Sequence, residues 1–252
     1  MSLRFVFAGL LSIGLAGFFA AAQAWPEGLK VFSADVAFIL LSGGCTVLAV
    51  VVVRKMGWRG KFGAVYSGLF IGMLLVFLGN VSDGIYDRVW GATPFPSFSD
   101  ALYLLGYGVA ILTLLRFLWF FRKAVSGERA LKLVVSSILS AGGLIVVFLF
   151  SHTVTQAPVV ALDALYPILD VFAVALSATM LVFFRSRFIS PPWKWFALGV
   201  LLMGVGHFLN GLGTTEGWYS YPQPLDLLYL WGYIGLGLGF SMQTKPEVFW
   251  RH

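Results

Sequence analysis

Long apolar runs separated by short polar stretches dominate this chain. Eight of them, roughly 4–24, 32–53, 62–81, 98–121, 132–152, 158–184, 193–213 and 224–243, are rich in Leu, Val, Phe, Ala and Gly. About 20 such residues in a helix cross the ~30 Å hydrocarbon core of a bilayer. A helix also pairs its own backbone N–H and C=O groups, which lipid cannot do. The pattern predicts an all-α, polytopic integral membrane protein with eight transmembrane helices. Pro191-Pro192 breaks the chain before the seventh, and a polar loop precedes the fourth at Phe98.

Composition agrees. Charged residues make up only 11% of the 252, and hydrophobic residues 59%. A soluble domain carries about 25% charged residues, so this chain lacks the charge to cover a soluble surface. Its 17% aromatic content excludes disorder, which is poor in aromatics. The lone Cys45 lies in an apolar run, which leaves no intramolecular disulfide and no cysteine metal site.

The net charge of +6 acquires meaning from its distribution. With the N-terminus in the cytoplasm, Arg4, Arg54, Lys55, Arg59, Lys61, Arg116, Arg122, Lys123, Arg129, Lys132, Arg185, Arg187, Lys194, Lys245 and Arg251 fall inside. Only Lys30 and Arg88 fall outside. Cytoplasmic loops carry such an excess. The expected place is therefore the cytoplasmic (inner) membrane, multi-pass, with both termini cytoplasmic. Lipid is the expected partner. A nucleic-acid partner is excluded, since it needs a soluble basic face. Tryptophans gather near both boundaries, as interfacial rings do. Arg4, an apolar run and Ala22-Gln23-Ala24 also match a signal peptide. The expectation is an uncleaved first helix, because an internal repeat needs it.

That repeat relates Phe95-Pro96-Ser97-Phe98-Ser99-Asp100-Ala101-Leu102-Tyr103-Leu104-Leu105-Gly106-Tyr107 to Tyr221-Pro222-Gln223-Pro224-Leu225-Asp226-Leu227-Leu228-Tyr229-Leu230-Trp231-Gly232-Tyr233, at a constant offset of 126 residues. Weaker similarity joins the stretches beginning at Leu3 and Leu131. Asn80 and Asn210 are expected to close the preceding helix of each unit. The chain divides into two four-helix repeats, 1–127 and 128–252. Even crossings give them the same orientation, as in parallel-repeat membrane folds.

Asp100, Tyr103 and Tyr107 share one helical stripe, and so do Asp226, Tyr229 and Tyr233. Two readings fit them. An acid in a first turn after proline suits a helix start, and Gly106 and Gly232 suit close helix packing. Alternatively, the paired stripes line an outer cavity. In the sixth segment Asp163 and Asp170 flank Pro167 on one face. Asp170 falls near the bilayer centre, where an aspartate costs about 2.5–3.5 kcal/mol and often marks a site. A structural carboxylate is the alternative. His207 is placed to pair with Asp170, and Asn210 lies one turn further out.

Other chemistries find little support. No lysine lies mid-membrane for a retinal Schiff base. Only His207 is deep, where a bis-histidine haem needs two. A zinc set from His152, His207 and outer aspartates has no recognised spacing. No phosphate loop, nucleophile elbow or HExxH occurs. No enzyme and no metal site is expected, and no cofactor is assigned.

The run from Pro96 to Leu104, followed by Gly106-Tyr107, resembles a P-S-x-x-D-x-x-Y-L pattern. Leu162-Asp163-Ala164-Leu165-Tyr166-Pro167-Ile168-Leu169-Asp170 is similar to an L-D-x-x-Y-P-x-x-D segment. Both patterns occur in the N-terminal multi-helix membrane input modules of bacterial signalling proteins with diguanylate cyclase (GGDEF), phosphodiesterase (EAL) or histidine kinase output domains. The resemblance implies a sensor-like module. It departs from the pattern in ending about ten residues after the last helix, so that signalling would need a separate protein partner.

The leading expectation is a non-enzymatic sensor-like or ligand-binding membrane module with an outward-facing polar cavity. Asp170, Asp163 and His207, with Asn210, would form its deep part; Asp100, Asp226, Tyr103 and Tyr229 would line its mouth. A transporter or channel for a small cation or proton-coupled solute is the second expectation. The third is an accessory or scaffold subunit of a larger membrane complex, contacting pigment, quinone or lipid.

Overall fold

A computed structural model describes residues 3–121, 157–183 and 191–243. Among them seven α-helices and one short 3-10 turn occur, and no strand. They are α1 (Leu3–Ala22), α2 (Glu27–Met56), α3 (Gly60–Trp90), α4 (Phe98–Phe121), α5 (Ala157–Phe183), α6 (Pro191–Thr215) and α7 (Leu227–Gln243), the last preceded by the 3-10 turn Pro224–Asp226. Six are long and apolar enough to cross a membrane: α1, α2, α3, α4, α6, and α7 with its 3-10 turn. In α5 the described apolar stretch is Leu165–Leu181. The chain is thus an all-helical, multi-pass membrane protein. The apolar run 132–152 lies outside the described residues.

Large apolar side chains such as Leu10, Ile13, Leu40, Val47 and Leu112 are exposed on the helix surfaces. Patches of that kind are rare on soluble monomers and are what lipid contact needs. The interior is dense and aromatic. Trp193 stacks on Phe117 at 3.8 Å and on Tyr66 at 5.5 Å between ring centroids. Phe196 and Phe240 pack edge to face beside them at 4.7 Å. All five are fully buried. This cluster fills the end of the bundle where α3 and α6 begin, the end that also carries Arg54, Lys55, Arg59 and Lys194.

α2 packs on α3 and α7, α3 on α4, α4 on α5, α5 on α6, α6 on α7, and α1 on α7. The tightest approaches use glycine. A Cβ on Gly106 would stand 3.1 Å from the Gly72 carbonyl oxygen, and one on Gly199 would stand 2.7 Å from that of Gly232. Without hydrophobic drive between helices in lipid, small residues let backbones approach for dispersion contact. Gly106 and Gly232 therefore serve the close packing expected of them.

Both repeated aspartates cap a helix. The Asp100 Oδ2 accepts from Ser97 N and Ser97 Oγ, each at 2.7 Å. The Asp226 Oδ2 accepts from Gln223 N at 2.8 Å. The bonds Phe95–Pro96 and Tyr221–Pro222 are both cis. Each aspartate stands at the third helical position and accepts from the N-cap backbone N–H, the reciprocal half of a capping box, and a hydrogen bond to an ionised group contributes about 1.5–3 kcal/mol. Asp100→Ala is expected to lower the thermal unfolding midpoint in detergent by several degrees, with Asp100→Asn recovering part of the loss.

Two boundaries depart from the sequence reading. α2 begins at Glu27, five residues before the apolar run. α3 continues to Trp90, nine residues past its run, and ends where Gly91 takes a left-handed conformation, φ 77°. Asn80 and Asn210 therefore stand inside α3 and α6 and close neither helix. The apolar count stops where polar residues begin, but a helix needs no lipid beyond that point. Helix α5 passes through Pro167 without interruption.

Candidate functional site

The polar extensions of the helices meet at one end, opposite the basic residues named above. There α2, α4 and α7 begin, and α3 and α6 finish. They enclose a cavity of about 590 Å³. Each helix contributes one stripe: Glu27, Val31, Asp35 and Phe38 from α2; Val76, Asn80, Asp83 and Asp87 from α3; Tyr103 and Tyr107 from α4; Met203, His207 and Asn210 from α6. Asp226 of the 3-10 turn and Tyr229 and Tyr233 of α7 complete the set. Three- and four-residue steps keep such positions on one helix face. Gly91, Ala92 and Thr93 after α3, and Tyr219 and Tyr221 after α6, close the remaining sides.

A repeated chemical unit organises the wall: an aspartate accepting from a tyrosine hydroxyl. Tyr103 donates to Asp83 Oδ2, Tyr219 to Asp226 Oδ1, and Tyr221 to Asp35 Oδ1, each at 2.7 Å. A hydrogen bond to an ionised group contributes about 1.5–3 kcal/mol net. The Tyr221–Asp35 bond ties the connection after α6 to α2. Asn80 links both sides of the cavity. Its Oδ1 stands 2.8 Å from the Tyr103 hydroxyl, and its Nδ2 donates to the Tyr233 hydroxyl at 3.1 Å. Burial first, then the neighbouring carboxylate, pushes the hydroxyls of Tyr219 and Tyr221 well above the usual tyrosine range. Both therefore remain protonated donors at physiological pH.

His207 forms the deep wall. Its Nδ1 lies 2.9 Å from Asp170 Oδ2, and the rings of Tyr166, Tyr107 and Tyr229 surround it at 5.0, 5.5 and 5.9 Å. Asp170 is only 1% exposed. The predicted pairing of α5 with α6 through these two residues is thus present. Among the described residues, no three His, Cys, Asp or Glu side chains are grouped to hold a metal ion.

Of the predicted residues, His207, Asn210, Asp226, Tyr103 and Tyr229 line the cavity. Asp170 does not. It stands behind His207, to which it is bonded, on α5, which among the described residues contributes none to the lining. Asp100 does not line the mouth either. Its Oδ2 is taken by the cap, and its Oδ1 accepts from the Tyr166 hydroxyl at 2.7 Å. The Asp163 side chain lies outside the described residues. Sequence reasoning missed Asp35, Asp83 and Asp87 as wall residues, together with Tyr219 and Tyr221. The signal was present for α3: Asn80, Asp83 and Asp87 are spaced i, i+3, i+7, a helical stripe running on past the apolar segment.

No protein-family model, curated protein or solved structure matches this chain.

Proposed function

We propose that this chain is a non-enzymatic ligand-binding module of the cytoplasmic membrane, whose cavity opens to the outer side. The observation that carries the reading is the cavity itself. Pockets for small molecules measure about 300–1,000 Å³ and combine apolar walls with a few placed polar groups; this one has the size and both kinds of lining. The orientation rests on the positive-inside distribution, with the termini cytoplasmic and the cavity at the opposite end. The eight-helix, two-repeat architecture draws support from the paired aspartate caps and from the paired glycine approaches of α3 with α4 and α6 with α7. The motif resemblance to membrane input modules supports a sensor-like role exercised through a separate partner.

The packed aromatic cluster around Trp193 favours binding over transport. A transport path from the cavity would have to pass rings stacked at 3.8 Å. The accessory-subunit reading differs in what accompanies the purified protein.

Two measurements test the proposal. Cys45 is buried and forms a silent background for thiol labelling. Ala92→Cys, at the cavity rim, is expected to react with a membrane-impermeant maleimide in intact cells. Trp58→Cys, at the other end, should react only after permeabilisation. The reverse result overturns the orientation. Native mass spectrometry of the gently extracted protein should then show a discrete small-molecule mass that His207→Ala removes. A bound protein subunit in place of a small molecule supports the accessory reading.

A further inference from the structure

We propose that the cavity takes a small organic ammonium ion: a compact apolar or aromatic body bearing one protonated or quaternised nitrogen. This inference rests on the ligand-binding reading and narrows it to a chemical class.

The first argument is charge. Asp35, Asp83 and Asp226 each accept from a tyrosine, and a neutral hydroxyl shares a proton without cancelling a negative charge. No lysine or arginine lines the cavity among the described residues. On its flank, Lys30 pairs with Glu27 at 3.7 Å, and the Arg88 guanidinium lies 3.8 Å over the Phe32 ring. Five acids, Glu27, Asp35, Asp83, Asp87 and Asp226, line the cavity against these two flanking cations, so the wall is net negative and selects against an anionic ligand.

The second argument is acceptor capacity. Asp35, Asp83 and Asp226 line the cavity and each accepts one tyrosine hydroxyl. A carboxylate offers about four acceptor sites, so the lining carboxylates keep sites that a ligand N–H⁺ can use.

The third argument is the ring surface. Phe38 lies within 5.9 Å of Tyr229 and 6.4 Å of Tyr233, both steeply inclined to it. Aromatic faces attract organic cations, and desolvation strengthens the attraction. A bare metal ion would use neither these faces nor the volume, and the ligand grouping it needs is absent among the described residues.

The test uses the full chain in detergent and native mass spectrometry with isosteric probes: 2-phenylethylammonium, 2-phenylethanol and phenylacetate, with tetramethylammonium as a compact cation. At least one cation is expected to add its mass, with the alcohol and the carboxylate binding at least about tenfold more weakly, a difference of ~1.4 kcal/mol or more. Asp83→Asn and, separately, Asp35→Asn should each weaken cation binding at least about tenfold while leaving the weak binding of 2-phenylethanol in place, a split that a loss of stability alone would not produce. Equal binding of the alcohol overturns the inference and leaves the ligand-binding reading standing. So does failure of all probes on a protein that still carries an endogenous neutral or anionic molecule. Failure of all probes on a protein that carries nothing overturns both.

Discussion

Replacing Gly199 by alanine is expected to destabilise the protein by about 1–3 kcal/mol, the usual cost of overpacking a filled interior. The new Cβ would stand 2.7 Å from the Gly232 carbonyl oxygen and 2.9 Å from the Leu236 amide nitrogen. Both are backbone atoms, which no rotamer change can move aside. α6 and α7 must therefore separate, and the dispersion contacts along that line weaken together. Gly44→Ala is the control. Its Cβ would meet nothing within 4 Å, and alanine favours helix over glycine by about 0.8–1.0 kcal/mol in water. Thermal unfolding in detergent should show Gly199→Ala several degrees below the wild type, with Gly44→Ala at or above it. Equal midpoints would mean that the close approach is not a stabilising contact.

The second large effect is an asymmetry. His207→Ala should cost more than Asp170→Ala. Removing the imidazole leaves a carboxylate in a site only 1% exposed without the partner 2.9 Å away. A buried carboxyl group left without its partner costs about 1–3 kcal/mol, and more where it stays ionised, and the deleted ring leaves a void besides. Removing the carboxylate instead leaves an imidazole, which can give up its proton and persist as a neutral hydrogen-bonding ring among Tyr107, Tyr166 and Tyr229. The pair Asp170→Asn with His207→Gln should recover part of the loss, since residues in direct contact show coupling of about 0.5–3 kcal/mol. Strictly additive single and double variants, measured by thermal or denaturant unfolding, would show that the two side chains act independently.

Much of the fold was legible because lipid imposes one rule, internal backbone pairing, and long apolar runs obey it visibly. The run at 98–121 coincides with α4, and 158–184 falls within one residue of α5 at each end. The Asp170–His207 pair was legible as well, since two polar residues at similar depth on consecutive helices have few other partners. Asp83 and Asp87 were not. Hydropathy reports where the bilayer core ends and is silent about whether the helix continues. Asp100 was misplaced for a different reason. Its stripe matches that of Asp226, but the Tyr166 hydroxyl takes its free oxygen, and no local pattern specifies a partner 66 residues away. Tyr221 met Asp35 across 186 residues, a contact that depends on how α2 docks against α7.

The glycine seams also distribute stiffness unevenly. α3 with α4, and α6 with α7, are each joined by backbones in near contact, and each pair resists bending as a beam does. Between the beams, toward the cavity end, the direct joint is the side-chain hydrogen bond from Asn80 to Tyr233. At the opposite end the rings of Tyr66 and Phe117 are stacked on Trp193. A lever turns about its tight end, so filling or emptying the space between the beams changes their separation most at the cavity end and least at the stacked rings.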